Sequence, residues 1–335
     1  MYAHVKSSVE AFAGKAALVA GLMAAATVAL PAHHAQAQTT LKVALPQKGN
    51  WDTGITEFGV KAGFFKEAGL EIDILYTQGG AQTVQAIIAG SVDIAMQGGI
   101  LGLVGAYTKN APLRIVAPAM TGTPDMFWYA RTDSGIKSFK DVEGKTVSFS
   151  APGSSTNLVL LNLFDHYKVK GKATPTGGIP GTFTQVMSKQ IDVGWSVPPF
   201  GLKEIAEKQL LIVARGSDVP HLQNQTVRVN FTTADTLAKK RDALVKFQQV
   251  YNRTLEWAYK DPKAVEYFAE AAGVSVEVAR ESRDNFYPQA AMQPFEIKDL
   301  QRTLDQALEF KFVAKPTKPE EVKGLFDILV PAPKT

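Results

Sequence analysis

The sequence predicts an α/β protein made of two halves of similar construction. Strands and helices of about ten residues alternate from Leu41 onward, which is typical of a mostly parallel sheet covered on both faces. Two runs of the same form, 92–96 and 191–195, carry aspartates 99 residues apart, at Asp93 and Asp192. A length of 335 residues suits about two domains.

The elements are predicted in chain order from apolar periodicity and from the glycines and prolines that bound each run. Strands are expected at 41–45, 71–76, 92–96, 113–117, 145–149 and 191–195. Helices are expected at 81–89, 100–108 and 158–164, with a turn at 98–99. From Thr232 onward the chain is predicted to be nearly all helix, with segments at 237–259, 262–273, 277–285 and 298–310.

The composition excludes several classes of protein. The chain has no cysteine, so disulfide scaffolds, thiolate zinc sites, iron–sulfur clusters and cysteine nucleophiles are ruled out. Its 36 basic residues are offset by 32 acidic ones, and no basic cluster suited to phosphates stands out. We therefore expect no nucleic-acid partner.

The N-terminus has the pattern of a secretory signal peptide. Lys6 and Lys15 precede an uncharged run at 16–30, and the small-residue pattern of an A-x-A cleavage site follows at 35–37. The alternative is a membrane anchor, but a bilayer needs about 20 apolar residues and this run is shorter. We expect cleavage after Ala37, no lipid anchor because no cysteine follows, and a product released outside the inner membrane without being embedded in it.

Four loops at the carboxyl ends of predicted strands are candidates for ligand binding, since parallel α/β sheets bind ligands there. In the first, Trp51 either walls a pocket or caps the core. In the second, glycines lead into a helix start that suits an anion; its candidates are Gly79, Gly80, Ala81 and Gln82.

The third loop, 150–156, offers Ser154, Ser155 and Thr156. Ser155 or Thr156 would make an ordinary N-cap, and another hydroxyl could hold an oxyanion. The fourth loop, 195–200, begins with Trp195, which either stacks on a ligand or forms a gate.

Signatures of enzymes are absent from the sequence. It has no G-x-S-x-G nucleophile elbow, no G-x-G-x-x-G fingerprint after a strand and no P-loop. After the predicted cleavage only His166 and His221 remain, with no metal-ligand spacing. We expect no enzyme, no cofactor and no metal; a secreted hydrolase using Ser154 or Ser155 is the weaker alternative.

Several longer runs resemble the NMT1/THI5-like group of periplasmic substrate-binding proteins of ABC importers, which includes nitrate, taurine and alkanesulfonate binders. The runs that carry the resemblance lie between residues 40 and 215, at 62–72, 89–95, 111–117 and 134–145. One branch of the group is enzymatic and carries a cysteine-rich motif, which a chain without cysteine lacks.

The resemblance implies a fold like that of the type II periplasmic binding proteins, with two α/β lobes, a ligand cleft and two crossover segments. We expect the crossovers at 126–131 and 226–231, a discontinuous first lobe at 38–126 plus 231–335, and a second lobe at 127–230. It also adds the candidate ligand-binding residues Gly98, Gly99 and Ile100 and, in the fourth loop, Pro198. Trp128, near the first crossover, is a further candidate.

The expected function is therefore the solute-binding component of an ABC uptake system. A monomer would capture a small sulfonate-, carboxylate- or aromatic-type ligand and deliver it to a cognate permease. The four loops contain no arginine, which disfavours a strongly charge-paired ligand, whereas Trp51, Trp195, Phe127 and Trp128 leave room for an aromatic one. A periplasmic ligand sensor that signals to a receptor is the alternative.

Overall fold

Residues 38–332, which a computed structural model describes, form two five-stranded sheets with α-helices packed against them. The predicted signal peptide at 1–37 lies outside the described residues. The strands are β1 (Thr39–Leu45), β2 (Leu70–Tyr76), β3 (Ile94–Gly99), β4 (Leu113–Thr121), β5 (Phe127–Arg131), β6 (Thr146–Phe149), β7 (Lys172–Pro175), β8 (Val193–Ser196), β9 (Leu210–Arg215) and β10 (Thr226–Thr233). The helices are α1 (Trp51–Lys61), α2 (Phe64–Glu67), α3 (Gly80–Ile88), α4 (Ile100–Tyr107), α5 (Ser155–Tyr167), α6 (Ile179–Met187), α7 (Leu202–Ala206), α8 (Ala234–Ala258), α9 (Pro262–Ala272), α10 (Val276–Phe286) and α11 (Leu300–Glu309).

The two sheets have the same strand arrangement. Their orders are β2-β1-β3-β10-β4 and β7-β6-β8-β5-β9. In each sheet the first three strands run parallel, and the fourth is antiparallel to both of its neighbours. The sheets are therefore mostly parallel, as predicted, with one antiparallel strand in each. That strand is the one with which the chain enters from the other sheet, so it arrives from the opposite end.

We call the first sheet with its helices the first lobe, and the second sheet with its helices the second lobe. The chain passes between the sheets in two short links, 122–126 and 216–225, and the predicted crossover stretches are themselves the strands β5 and β10. The lobe boundaries after 126 and 230 stay a prediction.

The lobes repeat the same anchoring contacts, and the aspartates and threonines that make them are 99 residues apart. The carboxylate of Asp93 accepts a hydrogen bond from Lys42 N at the first-lobe strand β1, at 2.9 Å, and that of Asp192 accepts one from Thr146 N at β6, at 2.8 Å. The hydroxyl of Thr83 lies 2.7 Å from that of Thr77, and that of Thr182 lies 2.6 Å from that of Thr176. The similarity of the two halves, predicted from the aspartates alone, extends to these side-chain contacts.

Some local predictions were wrong. Residues 98–99 are the end of β3 rather than a turn, because Gly98 and Gly99 still pair with β10. Trp51 is the first residue of α1 rather than a loop residue. The strands β7 and β9 were not predicted; β7 is a four-residue strand, too short for a clear pattern. Among residues 38–332, no helix is long and apolar enough to cross a bilayer.

Candidate functional site

The candidate site is a cleft between the carboxyl ends of strands from both lobes. It encloses about 500 Å³ of empty space, including the part open to solvent. The residues that line it belong to the ends of β1, β3, β6 and β8, the starts of α1, α3 and α5, the strand β10 and the link 122–126. The polar and charged lining residues are Gln47, Asn50, Asp52, Thr53, Gln97, Asp125, Ser150, Ser154, Ser155, Thr156 and Arg228.

Arg228 holds three elements together at the base of this cleft. Its Nη1 lies 2.9 Å from Asp52 Oδ2 in α1, and its Nη2 lies 2.7 Å from Asp125 Oδ2 in the link. Its Nε donates to the hydroxyl of Ser155 in the second lobe, at 3.2 Å. All three charged side chains are at most 6% exposed. This buried Asp–Arg–Asp cluster therefore ties the first lobe to the second.

The cluster contains two carboxyl groups and one guanidinium, and burial raises the pKa of one of the carboxyl groups. Desolvation raises the pKa of Asp52 to about 6, more than the Arg228 guanidinium lowers it, and the Asp125 carboxylate acts in the same direction as burial. Desolvation likewise raises the pKa of the nearby phenols of Tyr251, Tyr259 and Tyr287, which stay neutral. The carboxylates of Asp52 and Asp125 therefore share the single guanidinium of Arg228 in a buried position.

The start of α5 is a closed hydroxyl network. Ser154 is the N-cap, since its Oγ accepts a hydrogen bond from Asn157 N at 3.1 Å. The Thr156 hydroxyl accepts from Ser150 N at 2.9 Å and lies 2.9 Å from the Ser154 hydroxyl. The expected cap at Ser155 or Thr156 is therefore one or two residues too late, because Thr156 bonds back to the preceding loop instead.

Two amides of the first lobe face the cleft with an unpaired oxygen. Gln97 is 4% exposed, and its Nε2 donates to the Asp52 carbonyl at 3.3 Å, whereas its Oε1 has no partner among the described residues. Its φ of 58° lies in the left-handed region, which is uncommon for a residue other than glycine. Asn50, at the start of α1, is 7% exposed and has an unpaired Oδ1.

Trp195 supplies the second lobe's unpaired group. Its side chain lines the cleft at the end of β8 and is 5% exposed. Its indole Nε1 is buried and has no hydrogen-bond partner among the described residues. Buried indole N–H groups usually find an acceptor, so an unpaired one beside the cleft is unusual.

The lobes touch at glycines beside the cleft. Gly102 N in α4 donates to Gly153 O in the second lobe at 3.1 Å. A methyl group on Gly102 would lie 2.7 Å from that oxygen, and one on Gly99 would lie 2.6 Å from it. This approach of the two lobes therefore requires residues without a Cβ.

The structure brings half of the predicted site residues to the cleft. The residues that line it are Gly79, Gly80, Gly99, Ser154, Ser155, Thr156 and Trp195. Ala81 lines a neighbouring depression that shares Gly80, Gly99 and Ser154 with the cleft. The residues that do not line it are Trp51, Gln82, Gly98, Ile100, Trp128 and Pro198. Their contact with a ligand stays a prediction that the geometry does not favour.

The two buried tryptophans among them are packed in the cores. Trp51 donates from Nε1 to the Tyr259 hydroxyl at 3.0 Å and packs edge-on against Phe268. Trp128 donates from Nε1 to Ser148 O at 2.9 Å. Of the two readings of Trp51, the structure therefore supports the cap on the core.

Ten lining residues were not singled out from the sequence. They include Asn50, Asp52, Gln97, Asp125 and Arg228. The four loops contain no arginine, as the sequence shows, but the cleft does, because Arg228 reaches it from β10. No local signal marks Arg228, because it alternates with Val227 and Val229, a pattern that ordinarily places the polar residue on the solvent side of a strand.

The remaining groups show no arrangement for metal binding or serine hydrolysis. Among residues 38–332, no three acidic, histidine or cysteine side chains are grouped to hold a metal ion. The hydroxyls of Ser154 and Ser155 bond to Asn157 and Arg228, and within the same residues no histidine hydrogen-bonds to either serine.

Comparison with known proteins identifies the family. Residues 58–265 match the sequence model described as NMT1/THI5 like, which is more than half of the chain, so the chain belongs to that family. No curated protein matches it by sequence.

Several solved structures are similar in fold. The alkanesulfonate-binding protein SsuA from Xanthomonas axonopodis pv. citri, bound to MOPS, superposes with a TM-score of 0.72 at 14% identity, covering 87% of this chain and 98% of SsuA. The periplasmic nitrate-binding protein NrtA from Synechocystis PCC 6803 gives 0.67 at 13% identity, with 83% of each chain covered. A Candida albicans gene product with the generic periplasmic binding protein fold gives 0.68 at 14% identity, covering 86% and 96%. The chain therefore has the periplasmic binding protein fold, with two lobes and two mixed sheets.

Proposed function

We propose that this member of the NMT1/THI5-like family is the periplasmic solute-binding component of an ABC uptake system. It captures one small organic molecule in the cleft between its lobes and delivers it to a cognate permease. The observation that carries the proposal is a pair of cleft-lining residues from opposite lobes, Gln97 and Trp195, whose buried Oε1 and Nε1 have no hydrogen-bond partner among the described residues. A ligand between the lobes would pair both.

The framework around the cleft supports a hinge. The lobes are joined by two links, 122–126 and 216–225, and they touch at backbone glycines beside the site. Domain closure of this kind is how periplasmic binding proteins retain a ligand. Capture then consists of closing the lobes on a molecule that bonds to both of them.

Ligand-induced stabilisation tests the proposal. Purified protein is screened by thermal unfolding against sulfonates, aromatic acids, nitrate, pyrimidines and small amines. A ligand present at a hundredfold excess over its dissociation constant stabilises the native state by about 2.7 kcal/mol. A rise in Tm with one member of the panel is expected, and no rise with any member contradicts solute binding.

Closure is tested with Gly102→Ala, whose methyl group would meet Gly153 O at 2.7 Å. We expect the variant to hold the lobes apart and to weaken binding of any ligand found in the screen. Gly181→Ala in α6 is the matched control, since its methyl group would meet its nearest atom at an ordinary 3.5 Å. Small-angle scattering with and without ligand should show compaction in the wild type and in the control, and less of it in Gly102→Ala. Equal compaction in all three proteins would contradict closure at this contact.

A further inference from the structure

The buried side-chain atoms of the cleft that lack a hydrogen-bond partner are mostly acceptors. Among the described residues that line it, four buried oxygens have neither a hydrogen-bond donor nor an ion-pair partner: Asn50 Oδ1, Asp52 Oδ1, Gln97 Oε1 and Asp125 Oδ1. All four side chains are at most 7% exposed. Trp195 Nε1 is the one buried side-chain donor without a hydrogen-bond partner among these lining residues. A ligand that satisfies this set brings mainly N–H or O–H groups.

The net charge of the side chains that line the cleft also favours a cationic ligand. Arg228 is the only cationic side chain lining it within residues 38–332, and it faces both Asp52 and Asp125. The ionised cluster therefore carries one uncompensated negative charge in a place with little water. The phenols of Tyr251, Tyr259 and Tyr287, which surround the cluster, are neutral and add no charge. Burial raises the pKa of Asp52, and the Asp125 carboxylate acts in the same direction.

Helix starts are where an anion would be expected, and at α1 and α5 other groups of the protein already lie there. The first turn of α1 contains the Asp52 carboxylate, whose negative charge opposes an anion at that helix start. At the start of α5, the Ser154 hydroxyl is used in capping and the Ser155 hydroxyl accepts from Arg228. Gly99 also packs so closely there that a methyl group on it would lie 2.7 Å from Ser155 N. A sulfonate at the base of the cleft would instead meet two carboxylates.

One set of donors is still available for an acceptor atom of the ligand. The α3 start at Gly80 lines the same cleft and has open space around it, and Trp195 Nε1 lies in the cleft wall. A ligand with a cationic head and a single acceptor elsewhere would match both sets of groups.

We propose, on the basis of the solute-binding function above, that the ligand is a small organic cation of the ammonium or amidinium type. Its N–H groups donate to Asp52, Asp125 and Gln97, and its one acceptor pairs with Trp195 Nε1. The sulfonate and carboxylate classes expected from the sequence do not suit this cleft, whereas the aromatic class does when the aromatic molecule carries a cationic nitrogen.

Titration calorimetry with matched probes tests the charge preference. Benzylamine and benzamidine are compared with benzoate and benzenesulfonate, which keep one ring and change only the charged head; nitrate is included as a small anion. We expect the cationic probes to bind at least about 100-fold more tightly than the anionic ones, the size expected for a buried charge pair. Tighter binding of the anions, or equal binding of both kinds, overturns the cation proposal but leaves solute binding in place. No binding by any probe, together with no stabilisation in the wider screen, overturns both.

A variant separates the charge effect from general binding. Asp125→Asn keeps the side-chain shape and makes the ionised cluster neutral, so we expect the preference for benzamidine over benzoate to fall at least about tenfold. Asp235→Asn is the control, since Asp235 is exposed and pairs with Lys239 away from the cleft. An unchanged preference in folded Asp125→Asn contradicts the assignment. If this variant does not fold, as judged by circular dichroism, the wild-type comparison alone decides.

Discussion

At the cleft, the two lobes share the same anchoring hydrogen bonds but present different polar groups. Both lobes anchor their first strand with an aspartate, at Asp93 and Asp192, and close a βα turn with a pair of threonines. The first lobe then presents oxygens that lack donors, whereas the second presents hydroxyls that bond to one another. The shared contacts are the framework, and the recognition groups lie where the two lobes stop resembling each other.

The difference follows from the residue at the start of each long helix. In α5, Ser154 turns its hydroxyl back to the helix and satisfies a backbone N–H. In α1, Asn50 makes no side-chain cap, so its oxygen stays free, and Asp52 turns instead to Arg228. The start of α5 therefore stabilises its own helix, whereas the start of α1 keeps a side-chain oxygen that a ligand could bind.

Arg228→Met should have the largest effect of the variants that probe this comparison. The substitution leaves Asp52 and Asp125 buried with no cation, and breaking a buried charge pair in this way costs about 3–5 kcal/mol of unfolding free energy. Urea unfolding at pH 7 measures the loss. Adding Asp125→Asn to the variant should recover part of it. A single variant as stable as the wild type would show that the cluster does not hold the lobes together.

The two lobes should respond to pH with opposite signs. The folded pKa of Asp52 is raised to about 6, so its stabilising contribution is full below the ordinary value of 3.8 and is lost as the pH rises toward 6. For Asp192, burial raises the pKa, but the hydrogen bonds from Thr146 and nearby positive charges bring it below its ordinary value. Its contribution is therefore present above pH 3.8 and is lost as the pH falls through the lowered value.

Urea midpoints of the wild type, Asp52→Asn and Asp192→Asn between pH 3 and pH 8 test these signs. Asp52→Asn should remove a fall in stability of the order of 2 kcal/mol between about pH 4 and pH 6. Asp192→Asn should remove a fall that occurs only at more acidic pH. Identical pH profiles for the two variants would contradict the distinction.

The smallest expected effects come from a pair of tryptophans. Trp195→Phe removes an unpaired N–H, so we expect unchanged stability and an affinity for the best-binding probe that is about five- to tenfold lower, the value of one hydrogen bond. Trp51→Phe removes the bond to Tyr259, so we expect about 1 kcal/mol less stability and the same affinity. The reverse assignment of the two effects would return Trp51 to the site and Trp195 to the core.

The sequence was sufficient for the framework because that framework is periodic. The strand and helix patterns, the 99-residue repeat and the glycines of α3 all appear as local features, and they predicted the two lobes and the placement of Gly79, Gly80 and Trp195 at the cleft. The Asp–Arg–Asp cluster has no local pattern, since Asp52, Asp125 and Arg228 come from three distant segments. Only the order of strands, with β10 placed between β3 and β4, brings them together.

A crystal structure of the complex with the tightest-binding cationic probe would test the central claim most directly. We predict the probe in the cleft between the lobes, with N–H groups about 3 Å from Asp52 Oδ1 and Asp125 Oδ1 and the ring against Trp195. A probe bound elsewhere, or one in the cleft whose charged head avoids both carboxylates, would contradict the account.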